Sequence, residues 1–215
     1  FDMNAAETIE TQLNALLEFN PALPEEYTNA KYIFIGNTDP DIQLKVIAQV
    51  KQPKVIALDT MNLWITTKKE KLLQAIAKTH VLLMNDGEAR QLFNTTNLTI
   101  CAREALKLGP EYVIIKKGEH GALLFTKEGK HFNAPGYPLE IIKDPTGCGD
   151  SFAGGFMGYI AKKKEVTEIN IRRAIIYGST IASFNAEEFS CERVEQLTTT
   201  EIEKRYQEMK EIREF

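Results

Sequence analysis

The chain has 215 residues, of which 43% are hydrophobic and 26% charged, enough for one globular domain with a sizeable core. Its net charge of -4 speaks against nucleic acid or an anionic membrane as the main partner. Three widely spaced cysteines (Cys101, Cys148, Cys191), odd in number, indicate no disulfide framework, and no apolar run approaches membrane-spanning length. With no signal peptide at its start, the expected compartment is the reducing cytoplasm. The chain opens on Phe1 and not on methionine, so it is expected to be a piece of a longer protein.

In chain order, Phe1 to Tyr27 is amphipathic and helix-like at first (Ile9, Leu13, Leu16, Leu17), then broken by Pro21 and Pro24. Lys31–Gly36 is a short apolar run that suits a buried strand. Asp41–Lys51 reads as a helix with Ile42, Val46, Ile47 and Val50 on one side. Lys54–Asp59 is a second strand, Thr67–Thr79 a second helix, and Val81–Met84 a third strand. Asp86–Phe93 and Leu98–Leu108 are helices, and Tyr112–Lys116 is a fourth strand. Ala122–Phe125 pairs with it across a turn at Glu119-His-Gly. The alternation predicts right-handed βαβ units and a mostly parallel sheet, with an antiparallel edge after Tyr112. From Gly147 the chain reads as nearly all helix: Gly147–Lys163, Asn170–Asn185 and Thr198–Phe215. No repeat or domain boundary interrupts it, so one α/β domain is expected.

The most informative stretch is Asp144–Phe156, DPTGCGDSFAGGF. Small residues from Gly147 onward lead into Asp150 at a helix start. Phe152, Phe156 and Ile160 then recur at four-residue intervals as one apolar stripe. Unobstructed N–H groups at a helix start form an anion site. A carboxylate inside such a site repels the anion, so it needs a chemical task, and the simplest is to take a proton from a hydroxyl that attacks phosphate.

Asp144-Pro-Thr-Gly-Cys-Gly-Asp150 resembles the DxTGAGD signature of the ribokinase-like, or pfkB, family of carbohydrate and nucleoside kinases. Cys148 stands where that family usually has alanine. The resemblance implies a ribokinase-like fold: a mostly parallel sheet flanked by helices, with antiparallel edge strands and a helical C-terminal part. It implies ATP-dependent phosphorylation of a sugar or nucleoside hydroxyl, with Asp150 as base. The N–H groups of Gly147, Cys148 and Gly149 would hold the transferred phosphoryl group. The family's amino-terminal strands, with a Gly-Gly sugar-binding signature and a β-rich lid, have no counterpart in this sequence.

In open α/β sheets, ligands collect at the carboxyl ends of strands. Asp59 and Asn62 follow the second strand as substrate-side candidates, although Asp59-Thr-Met-Asn62 reads equally as punctuation before a helix. Asn85-Asp-Gly-Glu88 has the spacing of a helix capping box. The resemblance instead implies an NxxE motif that orients Mg²⁺ and phosphate, mostly through water. Lys116 and Gly118 match family positions that point at the nucleotide phosphates, and strand alternation puts both on one face. Tyr177, Ile181 and Asn185 form a helical stripe of the kind that is usually core, while the resemblance implies an adenine slot there. Asp144 and Thr146 match a monovalent-cation (K⁺) site of some relatives, or form a turn. The three histidines lack ligand spacing, and no P-loop or GxGxxG dinucleotide motif occurs. The partners so implied are ATP and a small sugar or nucleoside, with no nucleic acid and no membrane, and a homodimer stays open. The alternative function is a nucleotide-binding regulatory module or an inactive kinase relative.

Overall fold

The strands show two burial patterns, and these divide the sheet. In the computed structural model, which describes residues 10–214, β1 (Tyr32–Ile35), β2 (Val55–Leu58), β3 (Val81–Asn85) and β4 (Tyr112–Lys116) are followed by β5 (Ala122–Thr126) and β6 (His131–Ala134). Every residue of β2 is buried, as are Val81–Met84 and Tyr112–Ile115. Continuous apolar burial of this kind marks strands covered on both faces. By contrast, β5 and β6 alternate buried and more exposed residues, as strands with one solvated face do. The six strands form one sheet in the order β1-β2-β3-β4-β5-β6. The pairings β1–β2 and β2–β3 are parallel, with Tyr32 opposite Val55 and Ala57 opposite Val81. β5 and β6 are antiparallel, with Ala122 opposite Ala134.

By its internal packing the chain divides into two compact units. The first runs to Ile114 and includes Thr126–Glu128. The second consists of Ile115–Phe125 and the residues from Gly129 onward.

In the first unit, the helices are α1 (Glu25–Thr28), α2 (Pro40–Gln49), α3 (Asn62–Thr67), α4 (Lys69–Ile76), α5 (Asp86–Phe93) and α6 (Leu98–Leu108). Asp39 caps α2 by accepting from the Asp41 N–H at 2.9 Å, with Pro40 preset at the first helical position. The face that α2 buries differs from the expected one: Gln43 and Ile47 are inside, while Ile42, Val46 and Val50 are half-buried. Gln43 has a reason to be there. Its amide donates to the carbonyls of Gly36 (3.0 Å) and Asp59 (3.2 Å), which lie just beyond the carboxyl ends of β1 and β2. Lys68, at the junction of α3 and α4, pairs with Asp39 and Asp41, each at 2.7 Å. The helix expected over 67–79 is α4, shorter at both ends, and α3 is a separate helix before it that was not expected.

The amphipathic start is also corrected. Ile9 lies outside the described residues, and the remainder forms only a 3₁₀ turn at Asn14–Glu18, with Leu16 and Leu17 exposed.

The second unit carries α7 (Cys148–Lys163), α8 (Glu168–Asn185), α9 (Glu192–Glu195) and α10 (Thr199–Glu211). The predicted stripe is its core, with Phe156 and Ile160 fully buried and Phe152 5% exposed. Burying a phenylalanine contributes about 2 kcal/mol. α7 and α8 approach closely because glycines face bulk. A Cβ on Gly155 would stand 2.9 Å from Ile181 Cγ1, and one on Gly178 would stand 2.6 Å from the Phe152 carbonyl oxygen. α10 is tied to α8 by Arg205, whose guanidinium lies 3.5 Å from the Phe184 ring centroid and pairs with Glu187 at 2.6 Å.

Candidate active site

α7 begins where the sequence places its anion turn. Gly147 caps it with φ 81°, a left-handed conformation that residues with a Cβ adopt at a cost. Ser151 N–H is taken up by the Gly147 carbonyl at 2.8 Å, and Cys148 N–H bonds back to the Pro145 carbonyl at 3.2 Å. Among the described residues, the N–H groups of Gly147, Gly149 and Asp150 carry no hydrogen bond. Of the expected trio, the Cys148 N–H is engaged by the Pro145 carbonyl, while the Asp150 N–H is open beside those of Gly147 and Gly149. The Cys148 thiol packs inward, Sγ lying 3.5 Å from the Ala182 carbonyl, and burial pushes its pKa up.

Two other groups define the electrostatics. The Asp150 side chain is exposed, and no ion pair or hydrogen bond ties it to a described residue. Lys116, at the end of β4, brings its ammonium to 3.3 Å from where a Gly149 Cβ would sit. A cation, free amides and an open carboxylate therefore meet at one helix N-terminus, whose dipole also favours an anion. Gly118 does not share a strand face with Lys116. It opens a 3₁₀ turn, Gly118–His120, beyond the end of β4.

Asn185 holds this turn in shape. Only 2% exposed, it donates from Nδ2 to the Thr146 carbonyl at 2.8 Å and accepts from Ser151 Oγ at 2.9 Å through Oδ1. The structure gives the Tyr177–Ile181–Asn185 stripe a packing role. Ile181 meets Gly155, and Tyr177 lies between Tyr159 and Tyr206 with ring centroids 5.5 and 5.8 Å away. Burial, with the charge of Glu203, raises the Tyr177 pKa. Ser151 was not legible as a site residue, because its partner is remote in sequence.

Asp144 closes the turn from the other side. Its carboxylate accepts from the N–H of Thr146 at 2.9 Å and from that of Ser190 at 3.1 Å, and bonds to Thr146 and Ser190 hold its pKa below the usual value. This is the geometry of a turn former.

In the first unit, Asn85 and Glu88 form a full capping box at the start of α5. Asn85 Oδ1 accepts from the Glu88 N–H, and Glu88 Oε2 accepts from the Asn85 N–H, both at 2.7 Å. Glu88 is 9% exposed. A carboxylate oxygen has more than one lone pair, so the cap does not exhaust it as an acceptor. Among the described residues no group of three His, Cys, Asp or Glu could cage a metal ion. One amide and one carboxylate fit a hydrated Mg²⁺ held mostly through its waters. Asp59 is 5% exposed and accepts from the Thr60 N–H at 3.0 Å. Asn62 is the first residue of α3, but the cap position belongs to Met61.

A mixed α/β sheet feeding a helix with open N-terminal amides is common to several phosphate-binding folds. The family follows from the comparisons. The sequence matches the pfkB family carbohydrate kinase description over residues 3–208, and the chain belongs to that family. It is 29% identical to a cytidine kinase of Thermococcus kodakarensis over 148 residues, 68% of this chain and 53% of that protein. A nucleoside kinase of Methanocaldococcus jannaschii is 27% identical over 164 residues, 76% of this chain and 51% of its own length. The chain thus spans about half the length of these relatives. A crystal structure of the Methanocaldococcus jannaschii nucleoside kinase, an archaeal member of the ribokinase family, superimposes with a TM-score of 0.72 at 26% identity, covering 91% of this chain and 60% of that one. Aminoimidazole riboside kinase from Salmonella enterica, complexed with aminoimidazole riboside and an ATP analog, shares the fold with a TM-score of 0.68 at 17% identity, covering 82% of this chain and 64% of that one. Among the described residues, no helix is long and apolar enough to cross a membrane.

Proposed function

We propose that the protein is an ATP-dependent kinase that transfers the γ-phosphoryl group to a hydroxyl of a small sugar or nucleoside. One observation carries this reading: the Lys116 ammonium, the open Gly149 and Asp150 amides and the exposed Asp150 carboxylate meet at the start of α7. Amides and ammonium suit the negative charge of a transferring phosphoryl group. A carboxylate is the wrong sign for binding phosphate, so its presence there favours catalysis over mere binding. Asp150 would take the proton of the substrate hydroxyl and orient its oxygen for in-line attack. Asn185 would keep the turn open by fixing the Thr146 carbonyl and Ser151. The names of the relatives place nucleosides first among acceptors to test.

Asn85 and Glu88 would hold Mg²⁺ through its waters, and the ion, when bound, neutralises phosphate charge. A monovalent cation beside Asp144 and Thr146 belongs to the same reading, and turnover in potassium against choline salts tests it.

The decisive variant is Asp150→Asn in the full-length protein, assayed for ATP consumption over nucleosides and sugars, with nucleotide affinity measured by calorimetry. Removing a base of this kind lowers turnover by about 10²–10⁴-fold. ATP affinity should hold or improve, because a charge that repels phosphate is gone. Undiminished turnover on the best acceptor would remove Asp150 from the base role. In this chain alone, absence of any ATP–Mg²⁺ binding in a folded sample would count against the anion site itself.

A further inference from the structure

The second unit contains a charged cavity that the anion turn does not use. β6, the first half of α8 and the end of α10 with the residues after it border an open hollow of about 350 Å³, a volume suited to a small ligand. Four cations line it, Arg172, Arg173, Lys210 and Arg213, against one acid, Glu214. In a chain with a net charge of -4, such a surplus of positive charge in one hollow stands out.

The cations are incompletely neutralised. Arg172 and Arg213 both stack on the Phe132 ring, their guanidinium carbons 5.2 and 4.1 Å from its centroid. Two like charges on one ring repel. Burial, with the charge of Arg172, accordingly holds the Arg213 pKa below its usual value. Arg172 pairs with Glu168 through Nη2, but its Nε is buried without a hydrogen-bond partner among the described residues. Arg173 and Arg213 make no ion pair within the described chain, and Lys210 bonds only the neutral Gln207 amide at 3.0 Å while lying over Tyr206.

Stacking on Phe132 accounts for the placement of Arg172 and Arg213 alone. It does not account for Arg173 and Lys210 at the same hollow, nor for an orphaned guanidinium N–H. An anion would relieve the repulsion, and guanidinium forks match phosphate oxygens in pairs. The remaining wall, with Ile176, Met209 and the Tyr206 ring, offers apolar surface for the body of such a molecule.

We propose that this cavity binds a small organic phosphate, its phosphate held among Arg172, Arg173 and Arg213 and its apolar or ring portion against Tyr206 and Met209. The site is distinct from the anion turn: it uses the early residues of α8, whereas the turn is held by Asn185 at that helix's end.

Phenyl phosphate is the probe, since it carries a phosphate and a ring without adenine or a triphosphate. Its titration into labelled protein is followed by the Nε–H resonances of the arginines and the ring resonances of Tyr206. Expected are saturable shifts at Arg172, Arg213 and Tyr206, weaker shifts with inorganic phosphate, and none with phenol. Arg173→Gln/Arg213→Gln should weaken binding about tenfold, as loss of charge-assisted hydrogen bonds does, and leave ATP-dependent stabilisation unchanged. If the double variant does not fold, Arg173→Gln alone, at an exposed side chain, should still weaken binding. Shifts confined to the Gly147–Asp150 amides, or affinity unchanged in a folded variant, would overturn the proposal.

Discussion

Asn185 is the residue whose removal best separates a turn that is actively held from one that merely follows the start of α7. Asn185→Ala deletes two hydrogen bonds to oxygen, Nδ2 to the Thr146 carbonyl at 2.8 Å and Ser151 Oγ to Oδ1 at 2.9 Å, and a longer one from Nδ2 to Cys148 Sγ at 3.7 Å. Each bond to oxygen contributes about 1 kcal/mol net. Thr146 is exposed and Ser151 half-buried, so water is close to both freed groups. The full penalty for a buried unsatisfied group therefore does not apply, and the loss should be about 2 kcal/mol. It should be local. Amide hydrogen exchange of Ser151–Ile160 reads it as faster opening of the first turns of α7, with little change in the first unit. ATP affinity of the chain, by calorimetry, should fall with it, because the amides that meet phosphate are no longer fixed. Asn185→Asp sharpens the test. It keeps an acceptor for Ser151, sets an oxygen against the Thr146 carbonyl, and brings a negative charge toward the anion turn. It should therefore weaken nucleotide binding more than Asn185→Ala does. If Asn185→Ala instead leaves exchange and affinity unchanged and alters only preference among nucleotide bases, the staple is wrong and the adenine-slot reading returns.

Gly155→Ala should destabilise the α7–α8 pair by about 1–3 kcal/mol through overpacking, because its Cβ would meet Ile181 Cγ1 at 2.9 Å and Gly178 Cα at 3.1 Å; an unchanged melting temperature would refute that contact. Glu88→Gln retains a capping-box acceptor, so thermal stability should hold while magnesium-dependent turnover of the full-length protein falls; equal activity across a magnesium titration would leave Glu88 as a cap alone. Glu201 accepts from the Thr198 hydroxyl and amide and pairs with Arg193, and these lower its pKa from 4.5 to about 2. Its contribution is therefore present above pH 4.5 and lost as pH falls toward 2; a carboxyl titration by NMR with a midpoint near 4.5 would show that the bonds do not form in solution.

How far the sequence could be read follows from how local each feature's cause is. The boundaries of α5 and α6 match expectation residue for residue because their caps, Asn85 and Asn97, are encoded within three residues of the bonds they make. The apolar runs of β2 and β3 were legible as strands, and their burial along the whole run follows from cover on both faces. α3 was not legible: Leu-Trp-Ile-Thr-Thr is aromatic and β-branched, with poor helix propensity, and Trp64 and Ile65 are helical because the core buries them. The amino-terminal leucines erred the other way. They have helical spacing but no partner surface in the described chain, and a short amphipathic segment gains too little from propensity alone to form a helix.

The site divides along the same line. The anion turn, its glycine and Asp150 were visible as a contiguous motif. Periodicity also marked the Tyr177–Ile181–Asn185 face correctly, but a period shows only that residues share a side of a helix. What stands opposite is decided by the tertiary fold: the glycines of α7, and the turn before it. Polar Asn185, the residue on the apolar stripe that looked most like a ligand contact, is buried with its amide bonded to the Thr146 carbonyl and Ser151 Oγ. On the proposed reading its weight is indirect: Asn185→Ala acts through the shape of the turn and Asn185→Asp through shape and charge, so variants at Asn185 and at Asp150 should be separable, the first acting on binding and the second on turnover.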